Sequence, residues 1–145
     1  MMLIHLNIEA LTILSTLYVR DYKDCKDAQL INLSSRGGYM MVPNAVTYCA
    51  SKFYVSAFTE GLALELEANQ NQLKAKVLAP AATKTEFGQV ATNSKEYDYD
   101  EHFDRYHTCE EMAKFLMELY QSDEVVGLVD VENFEFNLSG PLFNH

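Results

Sequence analysis

Tryptophan is absent from the 145 residues, while proline and cysteine occur three times each and glycine six times. Basic residues are scarce as well: 11 Lys plus Arg stand against 21 Asp plus Glu, a formal net charge of −10. Each scarcity excludes something. An acidic surface repels phosphate backbones, which argues against a nucleic-acid partner and against docking on anionic lipid. Cys25, Cys49 and Cys109 are widely spaced and form no C-x-x-C. Neither a disulfide framework nor a thiolate zinc site is expected from them, and a reducing compartment is. No apolar run approaches the ~18 residues that a membrane helix needs. The apolar opening MMLIHLNIEALTIL contains Glu9 and has no basic leader of the kind a signal peptide carries. The expectation is therefore a cytoplasmic globular protein with no membrane contact. What is present supports a core: 48% of the residues are hydrophobic, with eight Phe and nine Tyr. That suffices for one domain and leaves too little chain for two.

Apolar positions at steps of three and four (Leu6, Leu11, Leu14, Leu17, Tyr18) predict a helix from Leu6 to Lys23. Gln29 to Ser34 is a short β-prone run closed by Ser-Ser-Arg-Gly-Gly, a loop signal. A long helix is predicted over Thr47 to Asn69, with Val55, Phe58, Leu62, Leu64 and Leu66 on one broad apolar face. Leu73 to Ala79 reads as a second strand, stopped by Pro80. Residues 82–107 have no clear period and mix acidic residues with Phe87, Tyr97, Tyr99, Phe103 and Tyr106. A connection this long in a small domain is usually functional, and the segment is a candidate substrate loop. Its aromatics serve equally well as a lid or as packing. Thr108 to Glu111 has the form of a capping box and opens a helix to about Gln121. Val125 to Val131 and Phe134 to Leu138 are strand-like, with a turn near Glu132 and Asn133.

This alternation implies an α/β protein with parallel pairing, Thr47 to Asn69 being the crossover helix between the first two strands. A sheet of three or four strands that opens on a helix resembles the second half of a larger fold. The expectation is a single partial domain over residues 1–145, the C-terminal half of a Rossmann-like, doubly wound, three-layer αβα sheet.

Tyr48 and Lys52 carry the most chemistry. Four residues apart on a helix, a phenol and an ammonium share one face a turn apart. A phenol ionises at about 10, so bringing it to about 7 needs roughly 4 kcal/mol of differential stabilisation. One ammonium at ~4 Å in an effective dielectric near 20 supplies about that much. Ser35 lies 13 residues before Tyr48, at the carboxyl end of a predicted strand, where sites in open α/β sheets gather. A hydroxyl there can hold a substrate oxygen. Tyr-x-x-x-Lys alone is a weak signal, and the chain repeats it at Tyr22 and Lys26. What sets Tyr48 and Lys52 apart is the Ser-Ser strand end, the glycines after it, and Ala50-Ser51 inside the turn.

The run N-x-S-S…Y-x-A-S-K resembles the short-chain dehydrogenase/reductase family over about Asn7 to Leu138. The resemblance implies an oxidoreductase acting on a small-molecule carbonyl/alcohol pair with NAD or NADP as cofactor. It implies that Tyr48 exchanges the proton, that Lys52 binds the nicotinamide ribose, and that Ser35 orients the substrate oxygen. Asn7 would be the fourth catalytic residue, anchoring a water in a relay with the lysine. The segment holding Pro80, Ala81, Thr83 and Thr85 resembles the family's cofactor-touching stretch after the second strand, with Thr83 standing where a branched apolar residue is common. Ala81 stands there in place of the usual glycine and narrows the fit. The family's glycine-rich pyrophosphate turn has no counterpart among the six glycines. The expectation is thus a catalytic half that is inactive as 145 residues alone. The alternative is a truncated, non-catalytic remnant serving as an oligomerising or binding module. The family's pairing of the two long helices across a dimer implies a homo-oligomer in either case. His102 and His107 around Asp104 read as a solvated loop, and no metal site is expected. Met40 and Met41 suit either a pocket lining or the core, and Cys49 a small buried hydrophobe.

Overall fold

The computed structural model describes residues 1–81 and 106–145. A helix α1 spans Met2–Tyr22, and strand β1 covers Gln29–Leu33. A single 3₁₀ turn, Arg36–Gly38, leads to helix α2, Val46–Ala68. Strand β2 is Lys74–Ala79, helix α3 is Cys109–Gln121, and the last strands are β3, Val126–Val129, and β4, Phe136–Ser139.

The strands lie side by side in the order β1-β2-β3-β4. β1 pairs with β2 in parallel, from Gln29 opposite Lys74 to Leu33 opposite Leu78, and β2 pairs with β3 in parallel. β4 runs antiparallel to β3, with Val126 opposite Ser139. The sheet is therefore mixed, a departure from the all-parallel expectation. The cause is local. Asp130 Oδ1 accepts the amides of Glu132 and Asn133, and Phe134 takes a φ of 62°. So tight a reversal leaves no chain for the crossover that a parallel partner requires.

Successive strand residues point to opposite faces, and each face meets a different layer. On one, Leu30 and Ala75 join Leu73, Leu62, Leu66, Tyr18 and Val19 in the core between the sheet and α1 and α2. The same face buries Asn32, which donates to Thr59 of α2 at 3.0 Å and to Ser15 of α1 at 3.4 Å. On the other face Ile31 and Leu33 lie near Leu116, Met117 and Tyr120 of α3. Lys76 also points that way and is 3% exposed. Its ammonium donates to the carbonyls of Leu119, Tyr120 and Ser122 at 2.8, 3.2 and 2.6 Å. It satisfies the open end of α3 where the helix dipole favours a cation. The opposite end of α3 carries the capping box: Glu111 N donates to Thr108 Oγ1, and Thr108 N to the Glu111 carboxylate.

The helix at the start corrects the sequence reading in one respect. Its 21 residues, with a hydropathy of 1.5, are long and apolar enough to cross a membrane by length and composition. The interruptions at Asn7 and Glu9 hide this from a search for unbroken apolar runs. Leu6, Ile13, Leu14 and Leu17 lie exposed on it.

Candidate active site

The candidate residues gather at the carboxyl ends of β1 and β2. There the backbones of the two strand exits are tied together, Ser34 N donating to Leu78 O and Arg36 N to Pro80 O, both at 2.8 Å. Ser35 is extended and caps the 3₁₀ turn, its Oγ accepting from Gly37 N at 3.0 Å. A hydroxyl that accepts one bond keeps its own proton and a second lone pair for a ligand.

Gly37 separates the serine from the tyrosine. A Cβ at that glycine would lie 3.5 Å from Tyr48 Cε1 and 3.6 Å from Ser35 Oγ. The two side chains therefore border the same buried residue. Tyr48 and Lys52 occupy the first two turns of α2, and Lys52 Nζ sits 6.0 Å from the centre of the Tyr48 ring. The ammonium donates to the carbonyl of Leu33 at 3.0 Å. One of its three N–H donors is thus spent on the end of β1, which fixes its position. Burial pushes the Lys52 pKa below the ordinary lysine value.

Asn7 lies in a π-helical stretch, His5–Ala10, within α1. Such wider turns are frequent at functional sites. Its Nδ2 donates to Ser51 Oγ at 3.1 Å, and Ser51 Oγ donates in turn to Tyr48 O at 2.8 Å. Asn7 is therefore brought against the Tyr48–Lys52 turn, and its amide goes to Ser51 rather than to Lys52. Pro80 and Ala81 follow β2 at the same edge of the site. Thr83 and Thr85 lie outside the described residues, as do the loop residues 82–105, His102 and Asp104 included. The second Tyr-x-x-x-Lys pair comes apart, since α1 ends at Tyr22 and Lys26 sits in the following turn. His107 is buried and stacks on Phe134, with ring centres 4.3 Å apart. Among the described residues no cluster could hold a metal. Cys25 is exposed and Cys49 buried, and both are thiols.

Sequence reasoning misses four residues. Ser51 reads only as part of the motif, the Leu33 carbonyl leaves no trace in residue identity, and the hydrogen-bonded pair Tyr39 and Glu60 carries no signal at all.

The family model described as short chain dehydrogenase matches residues 1–96. The chain belongs to the short-chain dehydrogenase family. Benzil reductase ((S)-benzoin forming) of Bacillus cereus is 29% identical over 133 residues, which cover 90% of this chain and 53% of that protein. Human dehydrogenase/reductase SDR family member 11 is 36% identical over 67 residues, 45% of this chain and 26% of that protein. Among solved structures, a short-chain dehydrogenase from Sphingobium yanoikuyae in complex with NADPH superposes with a TM-score of 0.76 at 23% identity. It covers 89% of this chain and 48% of its own. A 4-hydroxyisoleucine dehydrogenase complexed with NADH gives a TM-score of 0.59 at 22% identity, covering 81% of this chain and 48% of that one. These likenesses show the Rossmann-like α/β fold. This short-chain dehydrogenase chain spans about half the length of the benzil reductase and of the Sphingobium yanoikuyae enzyme.

The donor set suits one end of a nicotinamide nucleotide. Lys52 has two N–H donors beyond the one given to Leu33, and Tyr48 carries its hydroxyl a helical turn away, a pair matched to the vicinal hydroxyls of a ribose. For the pyrophosphate the described residues offer no glycine-rich, helix-opening turn. The adjacent glycines, Gly37 and Gly38, are consumed in packing against α2.

Proposed function

We propose that this chain is the catalytic half of an NAD(P)-dependent oxidoreductase that interconverts a carbonyl and an alcohol on a small molecule. The observation that carries the reading is the flanking of Gly37 by Ser35 and Tyr48, with Lys52 pinned to the end of β1 one helical turn on. Family membership supports it, and so does the activity named for the benzil reductase relative, which points to aromatic ketones as first substrates to try.

Bound NAD or NADP would supply the hydride chemistry. Ser35 holds the substrate oxygen through its hydroxyl. Tyr48 gives that oxygen a proton during reduction and takes it back during oxidation. Lys52 presents fixed positive charge beside the phenol and donates to the ribose hydroxyls. Asn7, through Ser51, holds the first turns of α2 in place, and Pro80 and Ala81 border the nicotinamide end, a cofactor-binding role that the family resemblance extends to Thr83 and Thr85. A cytoplasmic location belongs to the same reading.

The test is NAD(P)H oxidation with benzil and related ketones, using a protein in which this chain is joined to a nucleotide-binding half. Tyr48→Phe is expected to lower kcat by about a hundredfold or more, the worth of a positioned proton donor, with cofactor affinity nearly unchanged. Equal kcat in wild type and variant would refute the assignment. The 145 residues alone are expected to bind neither NADH nor NADPH measurably, and tight binding would overturn the half-domain part of the proposal. A second reading, a non-catalytic module that self-associates, is favoured by the apolar face of α1, where Leu6 and Leu14 are 62% and 66% exposed. Absence of turnover in the joined protein, together with a dimer by sedimentation, supports that reading instead.

A further inference from the structure

Glu60 stands in the third turn of α2 beyond Lys52 and is 2% exposed. A buried carboxylate is costly unless its lone pairs are filled, and here two distant segments fill them. Oε1 accepts the amides of Leu142 and Phe143 at 2.6 and 3.0 Å, while Oε2 accepts the Tyr39 hydroxyl at 2.5 Å. The rings add to the tie. Phe143 stacks on Tyr39 with centres 5.3 Å apart and lies 6.2 Å from Phe53, the neighbour of Lys52. Burial first, and then the facing carboxylate, push the Tyr39 phenol far above its ordinary pKa, so it remains a donor throughout the physiological range.

Tyr39 is the residue that closes the Ser35 turn. Its amide donates to Arg36 O, Gly38 N donates to Ser35 O, and Gly37 N donates to Ser35 Oγ. The turn is therefore held at its start by the end of β1 and at its finish by Tyr39. We infer that Glu60 is a positioning residue: it buckles the Ser35 turn to the C-terminal segment, so that residues 142 and 143 set the placement of the Ser35 hydroxyl. The functional weight of this rests on the role proposed for Ser35, and the structural tie itself does not.

Hydrogen exchange on the 145-residue chain reads the tie without turnover, so failure of the oxidoreductase reading and failure of this one are distinguishable. Three variants are compared with wild type at the amides of Gly37 and Gly38 and of Leu142 and Phe143. Tyr39→Phe removes a single hydroxyl and is expected to speed exchange at Gly37 and Gly38 about tenfold, the worth of one buried hydrogen bond, with 142 and 143 still protected. Deletion of residues 142–145 is expected to speed exchange at the same two glycines. Glu60→Gln, which keeps an acceptor oxygen for the tail, is expected to preserve protection at 142 and 143 far better than Glu60→Ala. In a turning-over protein, Tyr39→Phe lowers kcat and leaves the cofactor KM unchanged. Wild-type exchange at Gly37 and Gly38 in both Tyr39→Phe and the tail deletion overturns the inference, as does a uniform rise across the chain in Tyr39→Phe. Should Glu60→Ala not fold, the Tyr39→Phe and tail-deletion arms decide the matter.

Discussion

Two glycines, one in the 3₁₀ turn that packs on α2 and one in the middle of α2, predict opposite outcomes for the same substitution. Gly38 is buried, and a Cβ there would lie 2.6 Å from Ser56 Oγ, 2.8 Å from the Lys52 carbonyl oxygen and closer still to Ser34 Oγ. The Lys52 carbonyl belongs to a helix and cannot yield. The serines can, at the expense of their bonds: Ser34 Oγ donates to Lys52 O at 3.1 Å and meets Ser56 Oγ at 2.6 Å. Overpacking costs about 1–3 kcal/mol, and displacing one of these two hydrogen bonds about 1 kcal/mol, so Gly38→Ala is expected to destabilise by roughly 2–4 kcal/mol. At about 3 °C per kcal/mol for a domain of this size, Tm falls by about 6–12 °C. Gly61, on the exposed side of α2, has nothing within 4 Å of the position its Cβ would take. Gly61→Ala is expected to gain about 1 kcal/mol from helix propensity alone. With no tryptophan in the chain, urea titration followed by far-ultraviolet circular dichroism is the suitable assay. A loss under about 1 kcal/mol for Gly38→Ala would refute the close approach of the Ser35 turn to α2, since this is the smallest overpacking penalty the contacts allow.

Lys76→Met keeps the apolar stem but leaves Ser122 O at the end of α3 without its donor and takes one donor each from Leu119 O and Tyr120 O, which keep Ser122 and Gln29. It is expected to cost about 2 kcal/mol and to open amide exchange in the last turn of that helix; an unchanged melt would show that water replaces the ammonium freely. Thr108→Ala is expected to cost about 1 kcal/mol through loss of the cap, measured by the same urea titration. The box also has a pH signature. Hydrogen bonding from Thr108 depresses the Glu111 pKa below the usual carboxylate value, so its contribution is complete above about pH 4.5 and is lost as pH falls through the folded-state value. The acid limb of the stability curve is expected to flatten in Glu111→Gln, and an identical limb would count against the bond.

What the residues disclosed in advance divides by the kind of atom involved. Side-chain signals were legible: the capping box at Thr108, the crossover helix within a residue of its observed ends, and the separation of Tyr48–Lys52 from Tyr22–Lys26, which rested on the Ser-Ser strand end, the glycines after it and Ala50-Ser51. Main-chain partners were not. The Leu33 carbonyl that holds Lys52 and the tail amides that fill Glu60 have no residue identity to read. The Glu60 bonds also span more than 80 positions of sequence, beyond the reach of any local period. The direction of β4 depended on how tightly Asp130 closes one turn, and the length of α1 was masked by two polar residues that a helix accommodates without interruption. Asn7 was found through resemblance, whereas its bond to Ser51 required the widened turn of the backbone around it.

The Lys76 anchor has an evolutionary corollary. Its acceptors are peptide oxygens, so the tie is indifferent to which side chains stand at the receiving positions, and surface residues such as Tyr120 are free to drift without loosening it. A lineage that replaced that lysine would lose a donor to all three carbonyls at once, whereas one that rewrote the side chains of the terminus would find the lysine still serving.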